Sequence, residues 1–155
     1  MNNKQESLME ILLINGPNLN MLGKRDPEIY GTDTLESIQE NLRKQANSLD
    51  VKLTCFQSNH EGMLIDEIQS AFVDGVDGVI INPGGLTHTS VSLRDALDIL
   101  TCPIVEVHLS DIKKRESFRQ ISLIEDIVTK SISGVGASGY SQALDFIYNY
   151  IREKV

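Results

Sequence analysis

The chain has no tryptophan, and phenylalanine and tyrosine make up only 5% of its 155 residues. Cysteine is scarcer still. Cys55 and Cys102 are the only two. They lie far apart without a CxxC partner, which excludes a disulfide framework and a cysteine-based zinc site. Both read as small apolar side chains in a reducing, cytoplasmic setting. No apolar run approaches the roughly 20 residues that span a membrane. The opening segment MNNKQESL lacks the apolar core of a signal peptide. It reads as a disordered leader over 1–8, ahead of a single domain over 9–155. Positive charge is short too: 14 Lys and Arg stand against 22 Asp and Glu, a net charge of −8. Long-range repulsion therefore disfavours nucleic acid and anionic membrane as partners. A small anionic ligand stays compatible if a few cations gather locally. What remains is an ordinary globular composition, 41% hydrophobic and 23% charged, large enough to fold without metal or disulfide.

Short apolar runs alternate with helical patterns. Glu10–Ile14 is apolar on both faces, as a central parallel strand is. A long loop, Asn15 to Asp33, follows with Gly16, Pro17, Gly23, Pro27 and Gly31. Leu35, Ile38, Leu42 and Ala46 have helical spacing from about Thr34. Val51–Gln57 alternates like an edge strand. A helix over about Gly62 to Val73 turns Leu64, Ile65, Ile68 and Phe72 inward. Gly78–Ile81 is a strand, Ser90 to Leu100 a helix and Ile104–His108 a strand. A helical turn near Arg115–Phe118, a strand near Ser131–Val135 and a helix from about Ser141 to Glu153 complete the chain. This βα alternation predicts a three-layer α/β sandwich around a parallel sheet. Right-handed crossovers favour the flavodoxin-like order 2-1-3-4-5, with ligands bound beyond the carboxyl ends of the first and third strands.

The polar residues gather at that rim. The first strand ends in Asn15-Gly16-Pro17-Asn18, the third in Asn82-Pro83-Gly84-Gly85-Leu86-Thr87-His88 and the fourth in Glu106-Val107-His108-Leu109-Ser110. Glu106 and His108 share one face of their strand, since side chains alternate. A carboxylate beside an imidazole keeps it oriented and protonated, as a general acid requires; a structural ion pair is the plainer reading. His88 leads into a helix N-terminus, where anions are attracted, but is also an ordinary surface histidine. In the long loop, Arg25 stands five residues before Tyr30. A free tyrosine has a pKa of about 10, and a nearby guanidinium lowers it by roughly one to three units. Arg115 and Arg119, one helical turn apart, are either a solvated face or carboxylate binders. His60 has no assigned role.

Gly16-Pro17-Asn18-Leu19-Asn20, the Arg25…Pro27…Tyr30-Gly31 loop, Gln57-Ser58-Asn59-His60-Glu61-Gly62, Asn82 through Ser90, and Glu106-Val107-His108 together resemble the type II 3-dehydroquinate dehydratases. The resemblance runs from about Met9 to Val155. It implies a lyase that removes water from 3-dehydroquinate through an enolate by anti elimination, without cofactor, metal or Schiff base. The product would be 3-dehydroshikimate, in the shikimate pathway of aromatic amino acid biosynthesis or in quinate breakdown. It implies that Tyr30 is the base, held ionised by Arg25, and that Asn18 places a water against the enolate oxygen. His108, paired with Glu106, would protonate the departing hydroxyl. Asn82 and the backbone of Leu109 and Ser110 would take the substrate carboxylate, and His88 and Arg119 the ring hydroxyls. It further implies a homododecamer built from trimers, in which Asp95 reaches a neighbouring site and orients His88. Leu22 to Gly31 is expected to act as a lid. Asp26 stands where the family often has Glu, and Ile121 where many members have His.

Two rival readings fit less well. A flavin-binding flavodoxin needs a hydroxyl-rich loop after the first strand, but no Ser or Thr lies between Asn15 and Tyr30. A receiver domain needs an aspartate at the end of the third strand, where Asn82 stands. The lysines fall in polar loops, helix faces or strand starts, and none has the apolar setting that makes an amine ready for imine formation. Borohydride added with substrate is therefore expected to leave activity intact and no adduct by mass spectrometry; a covalent lysine adduct would refute this.

Overall fold

The computed structural model describes residues 7–24 and 26–155. Five strands, β1 (Met9–Asn15), β2 (Val51–Gln57), β3 (Gly78–Asn82), β4 (Ile104–His108) and β5 (Lys130–Ser133), form one parallel sheet in the order β2-β1-β3-β4-β5. The helices are α1 (Pro27–Tyr30), α2 (Leu35–Ser48), α3 (Glu61–Asp74), α4 (Val91–Ile99) and α5 (Ser138–Glu153). The fold is the expected α/β sandwich. No helix among the described residues is long and apolar enough to cross a membrane.

The two sheet faces bury separate cores. Ile11, Leu13, Ile80, Val105 and Val107 pack with α2 and α5. Leu12, Ile14, Val79, Ile81 and Ile104 pack with α3 and α4. Each fully buried aliphatic side chain contributes roughly 1.5–3 kcal/mol. Because both faces are covered, the inner strands read as continuous apolar runs. Asn15, Asn82 and His108 stand at the carboxyl ends of these strands, where the register sets Asn15 beside both Gln57 and Asn82. β2 keeps one neighbour and the partly exposed pattern of an edge.

Local sequence sets the helix ends. Thr34 caps α2: its hydroxyl accepts from the Ser37 N–H and the Ser37 hydroxyl accepts from the Thr34 N–H, both at 3.1 Å, a reciprocal capping box. Ser90 caps α4 by accepting from the Leu93 N–H at 2.9 Å. Several elements differ from the sequence reading. The long loop contains a 3-10 turn over Leu19–Met21 and the single turn α1. Pro27 at the first position and the Asp26 side chain at the cap start α1, which is what those residue types favour. Phe72 is 48% exposed and Ala71 takes its place inside, because the inward stripe steps three residues from Ile68 rather than four. The turn expected at Arg115–Phe118 is two 3-10 turns, Ile112–Lys114 and Ser117–Arg119. The last helix begins three residues early and so includes Tyr140.

Two glycines explain how the loops after β1 and β3 meet. The Gly16 N–H donates to the Asn82 carbonyl at 2.8 Å. A Cβ on Gly16 would lie 2.3 Å from the Pro83 carbonyl oxygen, and one on Gly84 would lie 2.8 Å from that of Pro17. Gly84 also has φ +60°, in the left-handed region. Each loop thus presses a glycine onto the other's proline. Gly16→Ala is expected to lower stability by about 1–3 kcal/mol through overpacking against backbone. Gly85→Ala, whose Cβ meets nothing within 4 Å, is expected to stay within about 0.5 kcal/mol of the parent. Urea unfolding midpoints check the contrast; equal losses would show that the close approach carries no special constraint.

Candidate active site

The rim of the sheet holds a cavity of about 150 Å³, below the ~300–1,000 Å³ of drug-sized sites and suited to a small ligand. Pro17, Asn18 and Leu19 line it from the β1 loop, and Asn82, Gly84, Gly85 and His88 from the β3 loop. His108, Leu109, Ser110, Ile112, Arg115 and Arg119 line it from the segment after β4. The predicted Asn18, Asn82, His88, His108, Leu109, Ser110 and Arg119 are therefore brought together. Glu106 stands directly behind His108. Asp95 is on the exposed side of α4 and does not line the cavity. Arg25 and the side chain of Tyr30 lie outside the described residues; the Tyr30 backbone ends α1.

The β1 loop is pinned by the Gln57–Asn59 segment. The Asn18 N–H donates to the Asn59 Oδ1 at 2.9 Å, and the Gln57 amide donates to the Gly16 carbonyl at 3.2 Å. Asn18 itself has φ 69°, a conformation asparagine tolerates better than most residues. His60, left without a role, occupies the N-cap position of α3 without a side-chain cap bond.

Glu106 and His108 form a buried pair. His108 Nε2 donates to Glu106 Oε2 at 2.6 Å, and both residues are buried. The same carboxylate accepts from the Ser122 hydroxyl at 2.6 Å and from the Ser131 hydroxyl at 2.9 Å. Burial pushes the Glu106 carboxyl up, but the hydrogen bond and charge of His108 and the two serine hydroxyls outweigh it, and its pKa falls below the ordinary carboxylate value. With Nε2 committed to Glu106, Nδ1 is the His108 nitrogen left for a ligand. His88 is turned the other way: its Nδ1 donates to the Ile121 carbonyl at 2.8 Å, leaving Nε2. The residue at 121 thus acts through its main chain, and its side chain is exposed.

Arg115 and Arg119 share one carboxylate. Glu116 lies 3.6 Å from Arg115 Nε and 3.0 Å from Arg119 Nε. Arg115 also donates to the Ser110 hydroxyl at 3.2 Å. Cys55 and Cys102 are half-buried away from this cavity, and burial pushes both thiols up. Among the described residues no group of three His, Cys, Asp or Glu side chains is placed to hold a metal ion.

Sequence reasoning missed the supports behind the rim. Ser122 and Ser131 are distant in sequence from Glu106, and no motif links them. Asn15 and Asn82 meet through Tyr140, whose hydroxyl donates to Asn15 Oδ1 at 2.6 Å and accepts from Asn82 Nδ2 at 3.0 Å. Tyr140 lies 58 residues beyond Asn82 in an amphipathic helix, where its spacing signals only packing.

The sequence model of the family described as Dehydroquinase class II matches residues 9–148. The chain is 57% identical over 136 residues to the 3-dehydroquinate dehydratase of Herminiimonas arsenicoxydans, covering 88% of this chain and 94% of that protein. It is 50% identical over 143 residues to the 3-dehydroquinate dehydratase of Halothermothrix orenii, covering 92% and 96%. The crystal structure of type II dehydroquinase from Butyrivibrio crossotus superposes with a TM-score of 0.88 at 44% identity, over 90% of this chain and 97% of that one. The match spans the strands and loops that build the cavity and continues into α5: the chain belongs to the class II dehydroquinase family.

Proposed function

We propose that the chain dehydrates 3-dehydroquinate to 3-dehydroshikimate in the cavity at the carboxyl ends of β1, β3 and β4. The observation that carries this reading is the buried Glu106–His108 pair, joined at 2.6 Å, whose imidazole opens onto that cavity. An ionised carboxylate behind the ring orients it and stabilises the imidazolium, the form that can deliver a proton.

The reaction is an elimination. Tyr30, as a phenolate kept ionised by Arg25, takes the proton from the carbon next to the ketone. The electron pair moves onto the ketone oxygen, and a water placed by Asn18 stabilises the enolate. The enolate then reforms the ketone, the ring hydroxyl departs and His108 supplies the proton that makes it water. Asn82 and the backbone N–H groups of Leu109 and Ser110 receive the carboxylate, and His88 and Arg119 the hydroxyls. Arg115, which lines the same wall, adds a second cation there. Asp95, exposed on α4, then serves a neighbouring copy in a homo-oligomer rather than its own cavity.

Mixing the protein with 3-dehydroquinate and following the conjugated product in the ultraviolet tests the reading. Turnover is expected without added metal or cofactor. His108→Ala is expected to cut kcat by about 10²-fold or more, the usual contribution of general acid catalysis, and Tyr30→Phe to abolish turnover. No product from the native protein, or activity within tenfold of native in both variants, would overturn the assignment.

Acid sensitivity has a definite sign. The folded Glu106 carboxyl has its pKa below the ordinary 4.5. Its contribution to stability is therefore complete above that value and is lost as pH falls through the lower folded value. Glu106→Gln is expected to be less stable than native at neutral pH and to lose stability less steeply below about pH 4.5. Chemical unfolding across the acid range measures both slopes; parallel slopes would place the acid sensitivity on other carboxylates.

A further inference from the structure

We propose that Tyr140 is a positioning residue that fixes which face of the Asn82 amide the substrate meets, making it a determinant of carboxylate recognition. The inference rests on the reading that Asn82 receives the substrate carboxylate.

Tyr140 is buried beneath the rim on the α2/α5 side of the sheet, 1% exposed, and cannot touch a ligand in the cavity. Its hydroxyl has one proton. That proton goes to Asn15 Oδ1 at 2.6 Å, where the acceptor is fully buried. Only a lone pair is then left for Asn82, so the Asn82 amide must present its NH₂ to the tyrosine, as it does at 3.0 Å. From the other end, the Gly84 N–H donates to Asn82 Oδ1 at 3.1 Å. A flipped amide would set oxygen against the tyrosine lone pair and NH₂ against the Gly84 N–H. Both ends forbid it. One N–H of Asn82 is used by Tyr140, and the second is available as a donor to an anion, the polarity a carboxylate requires. Burial also pushes the Tyr140 pKa well above its ordinary value, so the single proton stays on the oxygen.

Asn15 supplies an independent mark of this arrangement. Its Nδ2 is buried and has no hydrogen-bond partner among the described residues. An unpaired buried donor costs roughly 1–3 kcal/mol. An aliphatic residue would avoid that cost but would remove the acceptor that orients the tyrosine proton.

The experiment compares affinity for two non-reacting ring analogues, one bearing the carboxylate and one with a neutral carboxamide in its place. Tyr140→Phe keeps the ring packing and removes one of the two contacts that orient the Asn82 amide, leaving only the Gly84 N–H. It is expected to weaken the carboxylate analogue by about five- to tenfold, the scale of one hydrogen bond, and the carboxamide by much less. KM for 3-dehydroquinate should rise with kcat little changed. Asn15→Leu leaves Tyr140 in place but releases its proton toward Asn82, and is expected to reproduce the same selective loss. A purely structural role would weaken both analogues alike, and that result would overturn the proposal. Asn82→Ala separates the two readings. If it leaves carboxylate affinity unchanged, the assignment of Asn82 fails and the inference with it. If it weakens affinity while Tyr140→Phe and Asn15→Leu do not, only the role of Tyr140 fails.

Discussion

The site depends on one close approach between backbones. Gly16 and Gly84 let the loops after β1 and β3 press against each other's prolines, and the Gly16 N–H bonds the Asn82 carbonyl at 2.8 Å. A side chain at either glycine would force the two strand ends apart. That contact sets where Asn18 stands relative to Asn82 and His88. The third wall follows from the β3–β4 register, which pairs Ile81 with Glu106 and so brings His108 level with the rim. The Gly-Pro pairs in the two motifs therefore have a steric meaning before they have a chemical one.

From that rim two polar networks run down opposite faces of the sheet. Asn82 points to the α2/α5 side and is held by Tyr140 and Asn15. His108 belongs to the α3/α4 side and is held by Glu106, Ser122 and Ser131. Such groups are costly to bury unless their partners are complete. Both networks end at a residue lining the cavity, so their cohesion is expressed as fixed donor directions there. Arg94 supports the second network from α4. It donates to the Leu123 carbonyl and forms a two-pronged ion pair with Asp126. This ties down the segment that carries Ser122 and the Ile121 carbonyl.

Local signals made much of this legible. β4 has the boundaries that its apolar run predicted, and β2 those of its alternation. The Glu106–His108 pairing follows from period two alone. The short helical pieces were harder to see, because single 3-10 turns in Leu19–Met21 and Gly84–His88 are too brief for any periodicity to emerge. Phe72 departs from what its residue type favours because phase decides: at the end of a stripe, the small Ala71 fits against the core and the larger ring turns out. Tyr140 stayed hidden for a different reason. Its helix has an apolar stripe that its ring completes, and nothing in sequence distinguishes a packed ring from one whose hydroxyl bridges two asparagines. The supports of a site are long-range pairings, and these appear only once the chain is folded.

An acidic protein that takes an acidic substrate must do so at short range. With a net charge of −8, the far field opposes an approaching anion, but salt screens that field over about 8 Å. Inside this distance the cavity wall presents Arg115, Arg119, two imidazoles and the Asn82 amide. The guanidiniums do not stand bare, since Glu116 lies against both. Its carboxyl is held below the ordinary range by its own backbone hydrogen bond and, against some desolvation, by the two arginine charges. Because Glu116 is exposed, that pairing is screened and weak. An incoming carboxylate or hydroxyl therefore meets cations already oriented by a partner that solvent can take back. In the proposed reaction, selectivity rests on the groups that cannot exchange partners with water, which are the buried histidine and the buried amide.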